Sequence, residues 1–212
     1  MAGAKFISFE GGEGAGKSTQ IGLLAAALSA AGIPVQTTRE PGGSAGAEQI
    51  RELLVTGAGD RWDAMTEALL HFAARREHLR SVVWPNLAAG QWVLSDRFAD
   101  STMAYQGYGH GLGRAAIEEL YALAVGDFAP DLTLILDVPV ELGLERALAR
   151  RDGEDRYEGL DNAFHERLRQ GFRDIAEREP TRCAIIDADG EVTAVQAAIQ
   201  ACVVQRLGVA LP

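Results

Sequence analysis

Eight residues near the start, Gly11-Gly-Glu-Gly-Ala-Gly-Lys-Ser18, constrain what this chain can fold into more than any other feature. They spell G-x-x-x-x-G-K-[ST], and the flanks suit the motif: the apolar run Phe6–Phe9 reads as a strand, and Thr19–Ala31 reads as a helix. Strand, glycine loop and helix in that order form a phosphate cradle. Glycine lets successive backbone N–H groups turn toward one anion, and the helix N-terminus adds partial positive charge. Lys17 has the reach for β- and γ-phosphates, and Ser18 carries a hydroxyl suited to Mg²⁺. The motif predicts a nucleoside triphosphate site built from Gly11, Gly12, Glu13, Gly14, Ala15, Gly16, Lys17, Ser18 and Thr19.

The rest of the chain supplies a matching scaffold. Apolar runs at Lys5–Phe9, Val35–Thr38, Trp92–Ser95, Leu132–Leu136 and Cys183–Ile186 are short and mostly uninterrupted, as strands covered on both faces are. Helical patterns alternate with them at Thr19–Ala31, Ala45–Val55, Ala64–Ala89, Ala115–Val125, Val140–Arg150, Ala163–Arg178 and Val192–Leu207. The alternation predicts an α/β three-layer sandwich, with a five-stranded parallel sheet, helices on both faces and right-handed crossovers. Ligands are then expected at the carboxyl ends of the strands. No repeat or linker interrupts the 212 residues, which are read as one domain spanning 1–212.

Composition limits the partners. The formal net charge of −10 argues against broad binding to nucleic acid or to anionic lipid. No run approaches the length of a membrane span, no leader segment is visible, and the two cysteines, Cys183 and Cys202, lack metal spacing. The expectation is a cytoplasmic protein with reduced thiols and no nucleic-acid or membrane partner. Nearly all basic residues are arginine; Lys5 and Lys17 are the only lysines.

Polar groups stand where the strands end. Thr38-Arg-Glu-Pro-Gly-Gly43 follows the second strand, Asp96-Arg97 the third, and Asp137 closes the fourth. An aspartate at such a place supports Mg²⁺ beside a phosphate loop, and Asp96 is preferred because Arg97 brings a phosphate-binding fork with it. Asp137 reads equally well as a helix N-cap before Pro139. No histidine or serine has a nucleophile's setting, which suits phosphoryl transfer, a reaction that needs positioning and charge neutralisation. The charged segment from Arg150 to Glu158 has almost no apolar periodicity and is read as a mobile lid at about 150–158.

The phosphate loop, Thr38-Arg-Glu-Pro-Gly-Gly43, Asp96-Arg-Phe-Ala-Asp-Ser-Thr-Met-Ala-Tyr-Gln-Gly107, Asp131–Val138 and Asp155-Arg156 occur in an order that closely resembles bacterial thymidylate kinases. The resemblance covers most of the chain. It implies transfer of the γ-phosphoryl of ATP to dTMP, giving dTDP, with Mg²⁺ as cofactor and commonly a homodimer. It implies that Glu13 faces the deoxyribose 3′-hydroxyl, that Arg97 holds the dTMP phosphate and that Tyr105 fills the space below C2′. Gln106, Thr102 and Arg75 are placed at the thymine, with Arg51 and Glu40 in the same pocket.

Two positions depart from the pattern. Relatives often stack a phenylalanine on thymine one turn before the base-reading arginine; here His71 stands four residues before Arg75 and Phe72 is its neighbour. Phe72 is preferred, because a phenyl ring costs less to bury against a base. Some relatives also place an arginine directly after the acidic residue of the loop, where this chain has Gly14. Catalytic positive charge is therefore expected from the lid, with Arg156 as the matching residue and Arg150 and Arg151 beside the nucleotide. The alternatives are a kinase of another small acceptor and a partner-regulated P-loop ATPase. A GTPase would need N-K-x-D, which the sequence lacks.

Overall fold

In the computed structural model, which describes residues 3–57, 61–150, 157 and 159–212, five parallel strands lie in the order β2-β3-β1-β4-β5. These are β1 Phe6–Glu10, β2 Val35–Arg39, β3 Trp92–Asp96, β4 Leu132–Asp137 and β5 Cys183–Asp187. Each ends one residue beyond its apolar run, on a charged residue. The strand-ending polar groups are thus the last residues of the sheet. The order reverses around β1, so the loops after β1 and β3 open beside each other.

Alternation along the strands sorts the core into two layers. Phe6, Val93 and Ile135 face one side, with Phe98, Ile117, Phe164 and Phe172. Ile7, Phe9, Trp92, Leu94 and Leu134 face the other, with Leu24, Leu28, Ile199 and Val203. The second layer is covered by α1 (Lys17–Ala30) and α9 (Val192–Leu207). The first is covered by α3 (Ala64–His78), α6 (Arg114–Ala124) and α8 (Asn162–Arg178). The edge strands β2 and β5 are more exposed than uninterrupted apolar runs imply.

The long rod expected over Ala64–Ala89 forms in three registers: α3, a π-helical turn at Leu79–Val83, then α4 at Trp84–Ala88. Pro85 has no N–H to donate, and the turn preceding it widens accordingly. α2 (Ala45–Val55), α7 (Val140–Arg150) and α9 occupy their expected ranges. The segment after β3 was not expected to be helical. It forms a short helix α5, Ala99–Thr102, continued as a π-helix over Met103–Gly109, and nearly all of it is buried. Glycine makes room for this: a Cβ on Gly171 of α8 would lie 2.8 Å from the Tyr108 ring, and one on Gly109 would lie 2.5 Å from Phe164. The π-helix can therefore seat closely against α8, with Tyr105 and Gln106 buried within it. Among the described residues no helix is long and apolar enough to cross a membrane.

Candidate active site

The loops after β1, β2 and β3 enclose a cleft of about 750 Å³. On one side lies the glycine loop. A Cβ on Gly11 would sit 2.4 Å from the Leu136 carbonyl, so the loop presses against the end of β4 as only glycine allows. Gly16, in the left-handed region, precedes α1 and has no side chain with which to cap it. N–H groups at the start of a helix bind anions, which fits the loop to a polyphosphate. Lys17 Nζ donates to the carbonyls of Gly11 (3.1 Å) and Gly12 (2.9 Å). Burial, aided by Arg97, pushes the Lys17 ammonium down to about 8. Ser18 and Asp96 line the same cleft and offer a hydroxyl and a carboxylate oxygen, hard donors of the kind Mg²⁺ takes alongside phosphate.

The other side is organised by Arg97, whose φ of 70° places a non-glycine residue in the left-handed region. The turn is pinned around it. Arg97 N donates to Phe9 O at 2.9 Å, Phe98 N to Glu10 Oε1 at 2.7 Å, and Ser95 Oγ to Arg97 O at 2.8 Å. Glu10 also accepts from Ser101 Oγ at 2.5 Å. Burial, together with Asp100, pushes the Glu10 carboxyl up to about 8. So oriented, Arg97 donates from Nη1 to Gly11 O (3.0 Å) and Ser101 Oγ (3.2 Å), and from Nη2 to Glu13 Oε1 (3.1 Å). Tyr105 donates its hydroxyl to the same Glu13 oxygen at 2.5 Å, and the Arg97 guanidinium lies 4.9 Å from the Tyr105 ring centre. Burial alone would raise the Glu13 carboxyl, but Arg97, Lys17 and the Tyr105 hydroxyl outweigh it and hold it below its ordinary value.

Deeper in the cleft Arg75 is almost wholly buried. Its Nε donates to Glu40 Oε2 at 2.8 Å, and its Nη2 to Phe98 O and Thr102 Oγ1, both at 3.0 Å. Its Nη1 has no hydrogen-bond partner among the described residues, and neither has Gln106 Oε1. Glu40 lines the cleft, yet both its oxygens are engaged, since His78 Nδ1 lies 2.9 Å from Oε1. It holds Arg75 in place. Arg51 also lines the cleft and donates to Pro41 O at 2.6 Å.

Several expected positions differ. Phe72 does not line the cleft: it is buried in the core against Arg75 and Tyr121, and His71 takes the cleft side instead. The preference for Phe72 as the stacking ring is corrected on that ground; one step along a helix turns a side chain by about 100°, and the low cost of burying a phenyl ring is met in the core. Asp137 is not an N-cap. It accepts from Arg169 (2.8 and 3.0 Å) and Arg173 (2.6 Å), and these pairs bind β4 to α8. Gly11 and Gly12 lie behind the loop rather than on the main cleft, and Thr19 is exposed on α1. Arg151 and Arg156, expected in a lid at about 150–158, and the side chain of Arg150 lie outside the described residues. Sequence reading missed Glu10, Ser101 and His78, which act on Arg97 and Arg75 through contacts between distant segments. The only available signal was a carboxylate, Glu10, at the end of an otherwise apolar strand.

The absence of an arginine at position 14 has a steric cause. Gly14 has φ of +64°, and a Cβ there would lie 1.9 Å from the Gly143 carbonyl of α7. Gly14→Ala is expected to cost about 2 kcal/mol or more, from overpacking and the left-handed backbone. Gly12→Ala, where a Cβ meets nothing within 4 Å, should stay within about 0.5 kcal/mol of the parent. Urea unfolding of the two variants measures the difference; equal stability would mean that loop and α7 do not meet in this way.

The site and fold have counterparts. The family model for thymidylate kinase matches residues 9–199. The thymidylate kinase of Caulobacter vibrioides is 61% identical over 203 residues, covering 96% of this chain and 97% of that one. That of Nitrobacter hamburgensis is 50% identical over 208 residues, covering 97% and 90%. The crystal structure of thymidylate kinase from Ehrlichia chaffeensis superposes with a TM-score of 0.77 at 37% identity, covering 95% of this chain and 99% of that one. With a parallel α/β sheet, a phosphate loop facing an arginine-lined pocket, and near full-length identity of this order, the chain belongs to the thymidylate kinase family.

Proposed function

We propose that the chain transfers the γ-phosphoryl of ATP to dTMP, giving ADP and dTDP. The observation that carries this reading is a pair of buried polar atoms, without partners among the described residues, on two residues that line the cleft. Arg75 Nη1 is a donor and Gln106 Oε1 an acceptor, and both residues line the cleft that also holds the glycine loop. A thymine edge offers a C4 carbonyl and an N3–H, which satisfy that donor and that acceptor. In the same register cytosine sets its amino group against the Arg75 donor and its bare N3 against the Gln106 acceptor, and satisfies neither.

In this reading Gly11 to Thr19 hold the ATP phosphates, with Lys17 as their cation. Mg²⁺, taken by Ser18 and Asp96, supplies charge neutralisation to the phosphates when bound. Arg97 carries the acceptor phosphate, since its fork matches two phosphate oxygens. Glu13, kept ionised between Arg97 and Lys17, receives the sugar 3′-hydroxyl, and Tyr105 fills the space where a 2′-hydroxyl would sit. His71 stacks on the base, Thr102 and Glu40 fix Arg75, and Arg51 completes the wall. We further read residues 1–212 as one domain with its lid at about 150–158, acting as a homodimer in the cytoplasm without nucleic-acid or membrane partners.

ADP release with dTMP is expected to be far faster than with dCMP, dGMP or AMP in a coupled assay. Equal rates with all four, or none with dTMP, would refute the reading. Gly14 leaves no room for a loop arginine, so the lid is assigned the charge on the transferring phosphoryl. Arg156→Ala should lower kcat by roughly 10²–10³-fold with little change in the dTMP KM, as loss of a transition-state donor does. Alanine variants of Arg150 and Arg151 rank the three; near-normal kcat in all of them would exclude a lid arginine.

A further inference from the structure

We propose that Glu67, a residue outside the cleft lining, sets the base class by fixing which way the Gln106 amide faces; the inference rests on the dTMP reading above and names the device behind its selectivity. Glu67 lies on α3 two turns before Arg75 and is 2% exposed. Its Oε2 accepts from Gln106 Nε2 at 3.1 Å and from the Tyr157 hydroxyl at 3.3 Å, and His110 Nε2 lies 3.7 Å away.

The two ends of a glutamine amide have nearly the same shape, so only their partners decide its orientation. A carboxylate oxygen accepts and cannot donate, so Glu67 draws the amide nitrogen. Gln106 is 1% exposed, so solvent offers little to a reversed amide. Reversal would set the amide oxygen against the Glu67 carboxylate and leave the nitrogen without that partner. The oxygen is thereby kept as the atom left over, and it is the one without a partner.

Arg75 is locked in the same manner, with Glu40, Phe98 and Thr102 engaging Nε and Nη2 and leaving Nη1. Two carboxylates, Glu40 and Glu67, thus write a donor–acceptor pattern that neither touches the base to read. If the Gln106 amide were free to turn, the pattern would become donor–donor for part of the time, and a base with a bare N3 would gain a partner. Glu67 is a positioning residue in this scheme, acting through Gln106.

The test is kcat/KM for dTMP and dCMP with ATP, in the full chain and in Glu67→Gln. The glutamine keeps the shape but can face Gln106 with either end. The dTMP-over-dCMP preference is expected to narrow about tenfold, the size of one misdirected hydrogen bond, mostly through KM, with the ATP KM unchanged. In a Gln106→Met background, adding Glu67→Gln should change the preference no further. An unchanged preference in folded Glu67→Gln, or an equal narrowing in the Gln106→Met background, overturns the inference alone. A parent enzyme inert toward dTMP overturns the dTMP reading, and the inference with it. If Glu67→Gln shows no cooperative thermal transition, the same ratio is read in Glu67→Asp, whose carboxylate is one methylene short of Gln106; a full preference there also overturns it.

Discussion

The contact among Arg97, Glu13 and Tyr105 is the constraint on which the cleft depends. It joins the segments that follow two neighbouring strands: the loop after β1 gives Glu13, and after β3 the turn gives Arg97 and the π-helix gives Tyr105. Arg97 sits in a backbone conformation that costs of order 1 kcal/mol or more for a non-glycine residue. It persists because Phe9, Glu10 and Ser95 bind the turn on both sides. Below the turn, Arg182 bridges Asp100 of α5 and Thr133 of β4, so the helix that follows Arg97 is tied to the sheet as well.

Electrostatics explains why the site is poised rather than collapsed. Arg97 and Lys17 flank one carboxylate, Glu13, in a largely buried setting. Burial works against the Arg97 cation, yet Tyr105, Glu13 and Asp96 hold its affinity for the proton above the ordinary value. Lys17 is pulled the other way, to about 8, because burial and the Arg97 charge act together on it. The two cations are thus restrained by Glu13, by Asp96 and by loop carbonyls, and incoming phosphates would add further anionic partners. Clefts that gather one sign of charge at low dielectric bind the opposite charge well. This local pattern operates within a chain of net charge −10.

Much of this was legible from the residues. The phosphate loop is a spacing, and spacing survives without a structure. The five strands were readable because their runs are apolar and short, and the helices because their faces alternate. The α5 and π-helical stretch was not readable: its polar residues Asp100, Ser101, Thr102 and Gln106 are buried toward ion pairs and the cleft, so no apolar stripe marks it as a helix. His71 and Phe72 show the same limit at a single turn. Hydrophobicity favoured the phenyl ring for the base, while the rotation of α3 sends that ring to the core. Asp137 ended a strand as a metal ligand or cap would, and its true partners, Arg169 and Arg173, stand more than thirty residues away on α8. Gly14 could be seen in the sequence, but its reason, the nearby Gly143 carbonyl, could not.

The role proposed for Arg97 is to hold the phosphate of the acceptor nucleotide. Calorimetric titration of dTMP and of thymidine, into the parent protein and into Arg97→Ala, tests it most directly, because the two ligands differ only in that phosphate. Arg97→Ala is expected to weaken dTMP by about 10- to 100-fold more than it weakens thymidine, the range for a hydrogen-bonded charge. Equal weakening of both ligands, or of neither, would contradict it.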